Sequence, residues 1–205
     1  MGKRFGFGYS PRMTSLFATF SLDVLDAIAL AALVVSWAAT GWLAEHPPAS
    51  RPSVSALMAG YRSEWLRQFV TRSPRIFDAN IIDSLRQSTA FFASASMIAI
   101  GGGVALIGNV TTLEGLAHDL TIEAAGVRVE LKIILVLLFL ANALLKFVWA
   151  HRLFGYCAIL MAAVPNDVSG PRAYPRAEQA AKINITAAKS FNRGLQSIYF
   201  ALAAI

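Results

Sequence analysis

The sequence predicts an all-α protein: a polytopic membrane bundle of four transmembrane helices, with helical extensions on one side and one interfacial amphipathic helix. Three observations carry this. Only 15% of the 205 residues are charged, against about 25% in an average soluble domain, while 56% are hydrophobic and the mean hydropathy is +0.55. Four stretches approach the ~20 apolar residues that cross about 30 Å of hydrocarbon. One of them, STAFFASASMIAIGGG at 88–103, is uncharged and closes on three glycines. In a soluble helix each glycine costs roughly 1 kcal/mol relative to alanine. In lipid, small residues instead let helix backbones approach, and close packing holds helices together there.

The chain reads as one membrane domain over residues 1–205, with spans at about 24–44, 88–108, 131–151 and 186–205. The first, AIALAALVVSWAATGWLA, carries Trp37 and Trp42 towards its far end and stops at His46-Pro47-Pro48. Its start resembles a signal peptide in charge. However, Asp23 and Asp26 interrupt it and no small-x-small site precedes Glu45, so a retained helix is expected. The third, from Leu131 to Pro165, exceeds one bilayer thickness, so its later half should leave the membrane. The fourth is cleanly apolar only from Ile198 to Ile205, which reads as a span cut short.

The connections 45–87 and 152–185 carry most of the basic charge. Twelve Lys and Arg flank or occupy them, against five on the opposite side, which puts them in the cytoplasm of a bacterial inner membrane with the N-terminus outside. The net charge of +6 is therefore attributed to topology and anionic phospholipids and not to nucleic acid. Within 45–87, VSALMAGYRSEWLRQFV places Val54, Leu57, Met58, Tyr61, Trp65 and Phe69 on one helical stripe. It suits either the membrane interface or the underside of the bundle. Ser73-Pro74 reads as an N-cap and first helical residue, and Arg75 with Asp78 and Asp83 with Arg86 are spaced to pair.

Candidate functional residues fall into three groups. Ser88, Ala90, Ser94, Gly101, Gly102 and Gly103 form a helix-packing face, expected to make the tightest helix contact. Arg62, Arg75, Asp78, Asp83, Lys146, Arg152, Lys189 and Arg193 form a charge network on the connection side, read as a cationic vestibule for an anionic headgroup, solute or partner helix. Asp23 and Asp26 form a possible ion site. No catalytic or metal constellation is expected: His46, His118 and His151 lack ligand spacing, and Gly101–Gly103 has no preceding strand and no following Lys-Ser/Thr. Neither a cofactor nor an enzymatic activity is expected. The single Cys157 excludes an internal disulfide.

RSEWLRQFVTRSPRIFDANIIDSLRQSTAFFASASMIAIGGGVALIG, KFVWAHRLFGYCAILMAAVP and FNRGLQSIYFALA resemble, in order, the signature blocks of the domain of unknown function 599 family. These are integral membrane proteins of bacteria and plants without an assigned activity. The resemblance marks Arg62, Trp65, Arg75, Asp78, Phe91, Phe92, Ser94, Gly101, Gly102, Lys146, Phe147, Trp149, Arg152, Asn192, Gly194, Tyr199 and Phe200 as signature positions, and implies a fourth span completed after YFALA. His151 departs from the pattern. The function these readings support is an oligomeric or accessory subunit of a membrane complex, with a small channel or transporter as the alternative.

Overall fold

In a computed structural model, residues 24–48, 51–107 and 129–204 are described. They form five α-helices and no strand: α1 (Val24–Glu45), α2 (Val54–Phe69), α3 (Ile76–Ile107), α4 (Val129–Ala162) and α5 (Ala173–Ala203). Three are long and apolar enough to cross a membrane, over Asp26–Glu45, Ile76–Leu106 and Leu131–Ala162, with mean hydropathies of 1.8, 1.7 and 2.4. α5 falls outside this group, so three candidate spans stand where four were expected. The reason is compositional. Its inner face is built of Ala, Ser, Gly and Asn184, and its exposed face includes Glu178, Gln179, Lys182, Lys189, Asn192 and Arg193.

The antiparallel pair α4 and α5 is the spine of the fold. Along α5, Ala173, Ala177, Ala180, Asn184, Ala187, Gly194, Ser197 and Ala201 are buried and recur at intervals of three, four or seven residues. That period keeps one seam of small side chains against a neighbouring helix. Cys157 Sγ lies 3.4 Å from the Ala180 carbonyl oxygen, and the Ser190 hydroxyl donates to the Lys146 carbonyl at 3.0 Å. Higher up, Asn142 Nδ2 donates to Ser197 Oγ at 2.7 Å, and Phe139 and Phe200 stand 6.1 Å apart.

The most extensive interhelical packing is thus α4 on α5, and not the glycine-bearing segment of α3. α3 packs along the other side of α4, where Phe92 stacks on Phe147 at 5.4 Å and Phe191 closes a three-ring cluster. α1 leans on α5 with little buried area, and Trp37 meets Phe139 edge-on at 5.9 Å.

At about 1.5 Å per residue, the 32 residues of α3 and 34 of α4 run to roughly 50 Å, well past a ~30 Å hydrocarbon core. Their lower halves, the lower half of α5 and the whole of α2 form a stalk whose surface mixes charged groups with exposed apolar ones such as Val54, Tyr61, Ile76 and Ile159. Its core is Leu66, Phe69, Val70, Ile82, Cys157, Met161 and the alanines of α5.

Two local expectations are corrected. α2 runs lengthwise and antiparallel to α5, with Arg62 bonded to Asn184 and Ser55 to Asn192, so it belongs to the bundle and does not cross it as an interfacial helix would. Its buried residues are Leu66 and Phe69, while Val54, Leu57, Met58 and Tyr61 are exposed. α3 begins at Ile76, not at Pro74. Ser73-Pro74 is a cis peptide bond in the preceding turn, and Ser53 is the residue that caps a helix here, accepting from Ala56 N at 3.2 Å.

Candidate functional site: a basic cavity where the stalk meets the spans

Two contacts and the length of the uncharged runs relate the stalk to the candidate spans. α1 ends at Glu45, which pairs with Arg193 of α5 (Nη2 to Oε2 2.6 Å). On α3 the uncharged run begins at Ser88, and its neighbour Thr89 lies 3.2 Å from His151 Nδ1 of α4. From Ser88 to Ile107, and from Leu131 to His151, the rise is about 30 Å, one hydrocarbon thickness. Ser88 and His151 stand at one level, and Glu45 and Arg193 lie about 10 Å further along the spans, because Ser190 meets Lys146 and Ser197 meets Asn142.

At the level of Ser88 a cavity of about 430 Å³ opens between α2, α3 and α5. Ser55 and Arg62 of α2, Ser88 and Thr89 of α3, and Lys189 and Asn192 of α5 supply its polar lining, with Met58, Leu85, Phe154 and Phe191 as apolar walls. Among the described residues, no Asp or Glu lines it. Arg62 is half-buried and donates to Asn184 Oδ1; Asn184, fully buried, turns its amide nitrogen to Cys157 Sγ at 3.6 Å. Burial pushes the Arg62 guanidinium below its ordinary pKa. Among the described residues, neither Arg62 nor Lys189 forms a salt bridge.

The expected charge network resolves into separate pieces. Asp78, fully buried in the first turn of α3, accepts from Trp65 Nε1 at 2.6 Å and pairs with Arg72, so its partner is not Arg75. Arg75 donates to the carbonyls of Val164 (3.1 Å), Val70 (3.2 Å) and Pro165 (3.3 Å) and lies 4.5 Å from the centre of the Phe69 ring. It pins the α2–α3 turn to the end of α4. Asp83 accepts from Gln87 at 2.6 Å and does not pair with Arg86, whose Nε is buried without a partner among the described residues. Arg152 is exposed and bonds Tyr156 at 2.9 Å. Lys182 bridges Glu178 at 2.9 Å, which separates it from Lys189 and Arg193.

Lys146 and Arg193 meet elsewhere, in a second cavity of about 430 Å³ between α1, α4 and α5, with Trp37, Glu45, Asn142 and Gln196. There Gln196 Nε2 donates to the Trp37 carbonyl at 2.6 Å and approaches Thr40 Oγ1 at 2.8 Å. Of the proposed packing face, Ser88, Ala90, Ser94, Gly101 and Gly102 are exposed within a single chain. A Cβ on Gly101 or Gly102 would meet nothing, whereas one on Gly103 would stand 2.7 Å from Leu137 Cδ2. Asp26 is half-buried in the first turn of α1, and Asp23 lies outside the described residues.

Asn184, Gln196, Glu45 and Trp37 are site residues that the sequence did not single out. Arg62 and Asn184 are 122 positions apart and only the antiparallel register of α2 on α5 joins them.

Apolar helices of spanning length joined through a helical stalk define a multi-pass helical membrane protein. Residues 28–205 match the model of the family described as protein of unknown function, DUF599, and the chain belongs to that family. No curated protein and no solved structure matches it.

Proposed function

We propose that this chain is a non-catalytic subunit of a membrane assembly, joined to copies of itself or to other subunits through the outer face of α3. The observation that supports this is Gly101–Gly102. Both lie inside a helix, where each costs about 1 kcal/mol relative to alanine, and among the described residues neither is used for a close approach. A partner helix seated against Ser94, Gly101 and Gly102 would convert that cost into backbone contact. The spanning segments support the same reading. Among the described residues the three candidate spans and α5 form an open row, α3 beside α4 beside α5 with α1 leaning on α5, so α3 has one main neighbour there. The excess of Lys and Arg on the stalk side favours a cytoplasmic stalk and an external N-terminus in a bacterial inner membrane.

Cross-linking in native membranes tests the assembly. In a Cys157→Ala background, Gly101→Cys should form disulfide-linked dimers on mild oxidation if the partner is another copy. A foreign subunit should instead co-purify with the wild-type chain. Native mass spectrometry showing only a monomer with no companion, and no cross-link, removes the proposal.

A small channel or transporter is the second reading. It is favoured by Asn142, Lys146, Gln196 and Arg193, polar groups gathered around one cavity beside the spans. Ion or solute flux in proteoliposomes that never exceeds empty controls dismisses it.

A further inference from the structure

We infer that the cavity between α2, α3 and α5 binds the phosphate group of an anionic phospholipid, with Arg62 and Lys189 holding the phosphate and the apolar walls accepting the start of the acyl chains. Four features converge on that chemistry.

Among the described residues the cavity lining carries two cations and no carboxylate; Lys189 is exposed and Glu45, outside the lining, offsets part of its charge, which leaves the half-buried Arg62 as the less compensated of the two. An anion relieves this, and burial of the Arg62 guanidinium adds to the benefit of a charged partner. The neutral donors suit phosphate oxygens. Ser55 and Asn192 sit 3.3 Å apart on the lining, and phosphate offers several acceptors where a carboxylate offers two. α2 starts at this wall, because Val54 and Ser55 of its first turn line the cavity, so the positive end of a 16-residue helix lies beside the anion.

The last feature is depth, which selects a lipid over a free phosphate ester. The cavity stands at the level of Ser88 and one turn below Arg193, where the uncharged run begins and headgroups lie. Met58, Leu85, Phe154 and Phe191 offer a soluble sugar phosphate nothing, but they suit the glycerol and first methylenes of a lipid. At about 430 Å³ the space is within the usual range of small-ligand pockets and holds a headgroup, not a whole lipid.

The test is native mass spectrometry of the full chain, delipidated and then offered equimolar phosphatidylglycerol and phosphatidylcholine with identical acyl chains. The wild type should carry phosphatidylglycerol in about tenfold excess, as expected for two cations near a phosphate. Arg62→Gln with Lys189→Gln should bring the ratio to parity. Arg62 also holds Asn184, so two gentler variants guard against misfolding. Lys189→Gln alone removes an exposed charge, and Ala188→Trp fills the cavity while keeping both cations; each should lower the excess. Arg67→Gln and Lys182→Gln, basic changes elsewhere on the stalk, should leave it intact. Glycerol 3-phosphate serves as the tail-less arm and should compete weakly. Equal retention of the two lipids by the wild type, or an undiminished excess in Lys189→Gln and Ala188→Trp, overturns the inference. Tight binding of glycerol 3-phosphate without any lipid preference overturns the lipid and assigns the site to a soluble phosphate ester.

Discussion

Gly194 of α5 faces the Phe147 ring of α4 so closely that a Cβ built on the glycine would stand 2.6 Å from Phe147 Cε1. Phe147 has no exposed surface, and Phe92 of α3 and Phe191 of α5 each stand 5.4 Å from its ring. The ring therefore has nowhere to move. This one juxtaposition explains why α5 carries a glycine in mid-helix, where it costs about 1 kcal/mol in propensity.

Gly194→Ala should therefore destabilise the fold despite improving helix propensity. Overpacking of a filled core costs typically 1–3 kcal/mol, which outweighs the propensity gain. Thermal unfolding in detergent should show a lower midpoint for Gly194→Ala, and Phe147→Leu in the same chain should recover part of the loss. A midpoint equal to or above the wild type would mean that the ring yields.

Asp78 organises the base of the stalk. Its carboxylate is fully buried, takes the Trp65 indole N–H at 2.6 Å and pairs with Arg72, joining α2 to the start of α3. Asp78→Ala strands a half-buried indole donor and a partly covered guanidinium, which costs about 1–3 kcal/mol for the donor and more where charge is involved. We expect Asp78→Ala to lose stability by at least 2 kcal/mol, with Arg72→Gln milder because its side chain is 35% exposed. Urea titration of the two variants, followed by Trp fluorescence, checks the order. The reverse order would shift the anchoring role to Arg72.

How far the sequence foretold this depends on the distance over which each feature is specified. α1 was legible residue by residue, because an uninterrupted apolar run with Pro47-Pro48 behind it leaves one outcome, and Val24–Glu45 matches the expected 24–44. The lower halves of α3 and α4 were legible as extensions, since charges follow apolar runs with no helix breaker between. The role of α5 was not. Its seam of Ala, Ser and Gly looks weakly hydrophobic on any transfer scale, although the spacing from Ala173 to Ala201 was there to be read. The charge network was misread because i to i+3 spacing makes a pair available without making it preferred. Arg75 found three carbonyls and Asp78 a half-buried indole, partners set by a turn that spacing cannot foresee.

The attachment of α1 rests on few groups. No residue in its apolar window is buried, and its polar ties to α5 among the described residues are the Gln196 bonds to the Trp37 carbonyl and Thr40 Oγ1 and the Glu45–Arg193 pair. Gly41 leaves room for Gln196, whose Oε1 would stand 3.0 Å from a Cβ there. Gln196→Leu combined with Glu45→Gln should loosen α1 while leaving the α4–α5 spine intact. Hydrogen exchange should rise over Trp37–Glu45 and stay unchanged over 173–190. Either change alone should have a small effect, since an exposed ion pair contributes about 0–1 kcal/mol. Uniform exchange across all helices would show that α1 is an integral part of the core.

The glycines of α3 separate folding from assembly. Gly103 faces Leu137 with 2.7 Å to its Cδ2, while Gly101 and Gly102 face open space in a single chain. Gly101→Ala should leave the isolated chain unharmed or stabilise it by up to about 1 kcal/mol through helix propensity. Gly103→Ala should be close to neutral, because Leu137 can swing its terminal methyl aside at a cost comparable to the propensity gained. Gly101→Leu sharpens the contrast. With nothing beside it, the added side chain should not lower the unfolding midpoint of the monomer, yet it should block a helix pressed against that face and reduce assembly. Size-exclusion chromatography with light scattering, run beside thermal unfolding, reads both properties. A drop in assembly with an unchanged midpoint places the contact on the α3 glycines; unchanged assembly moves it to another face of the protein.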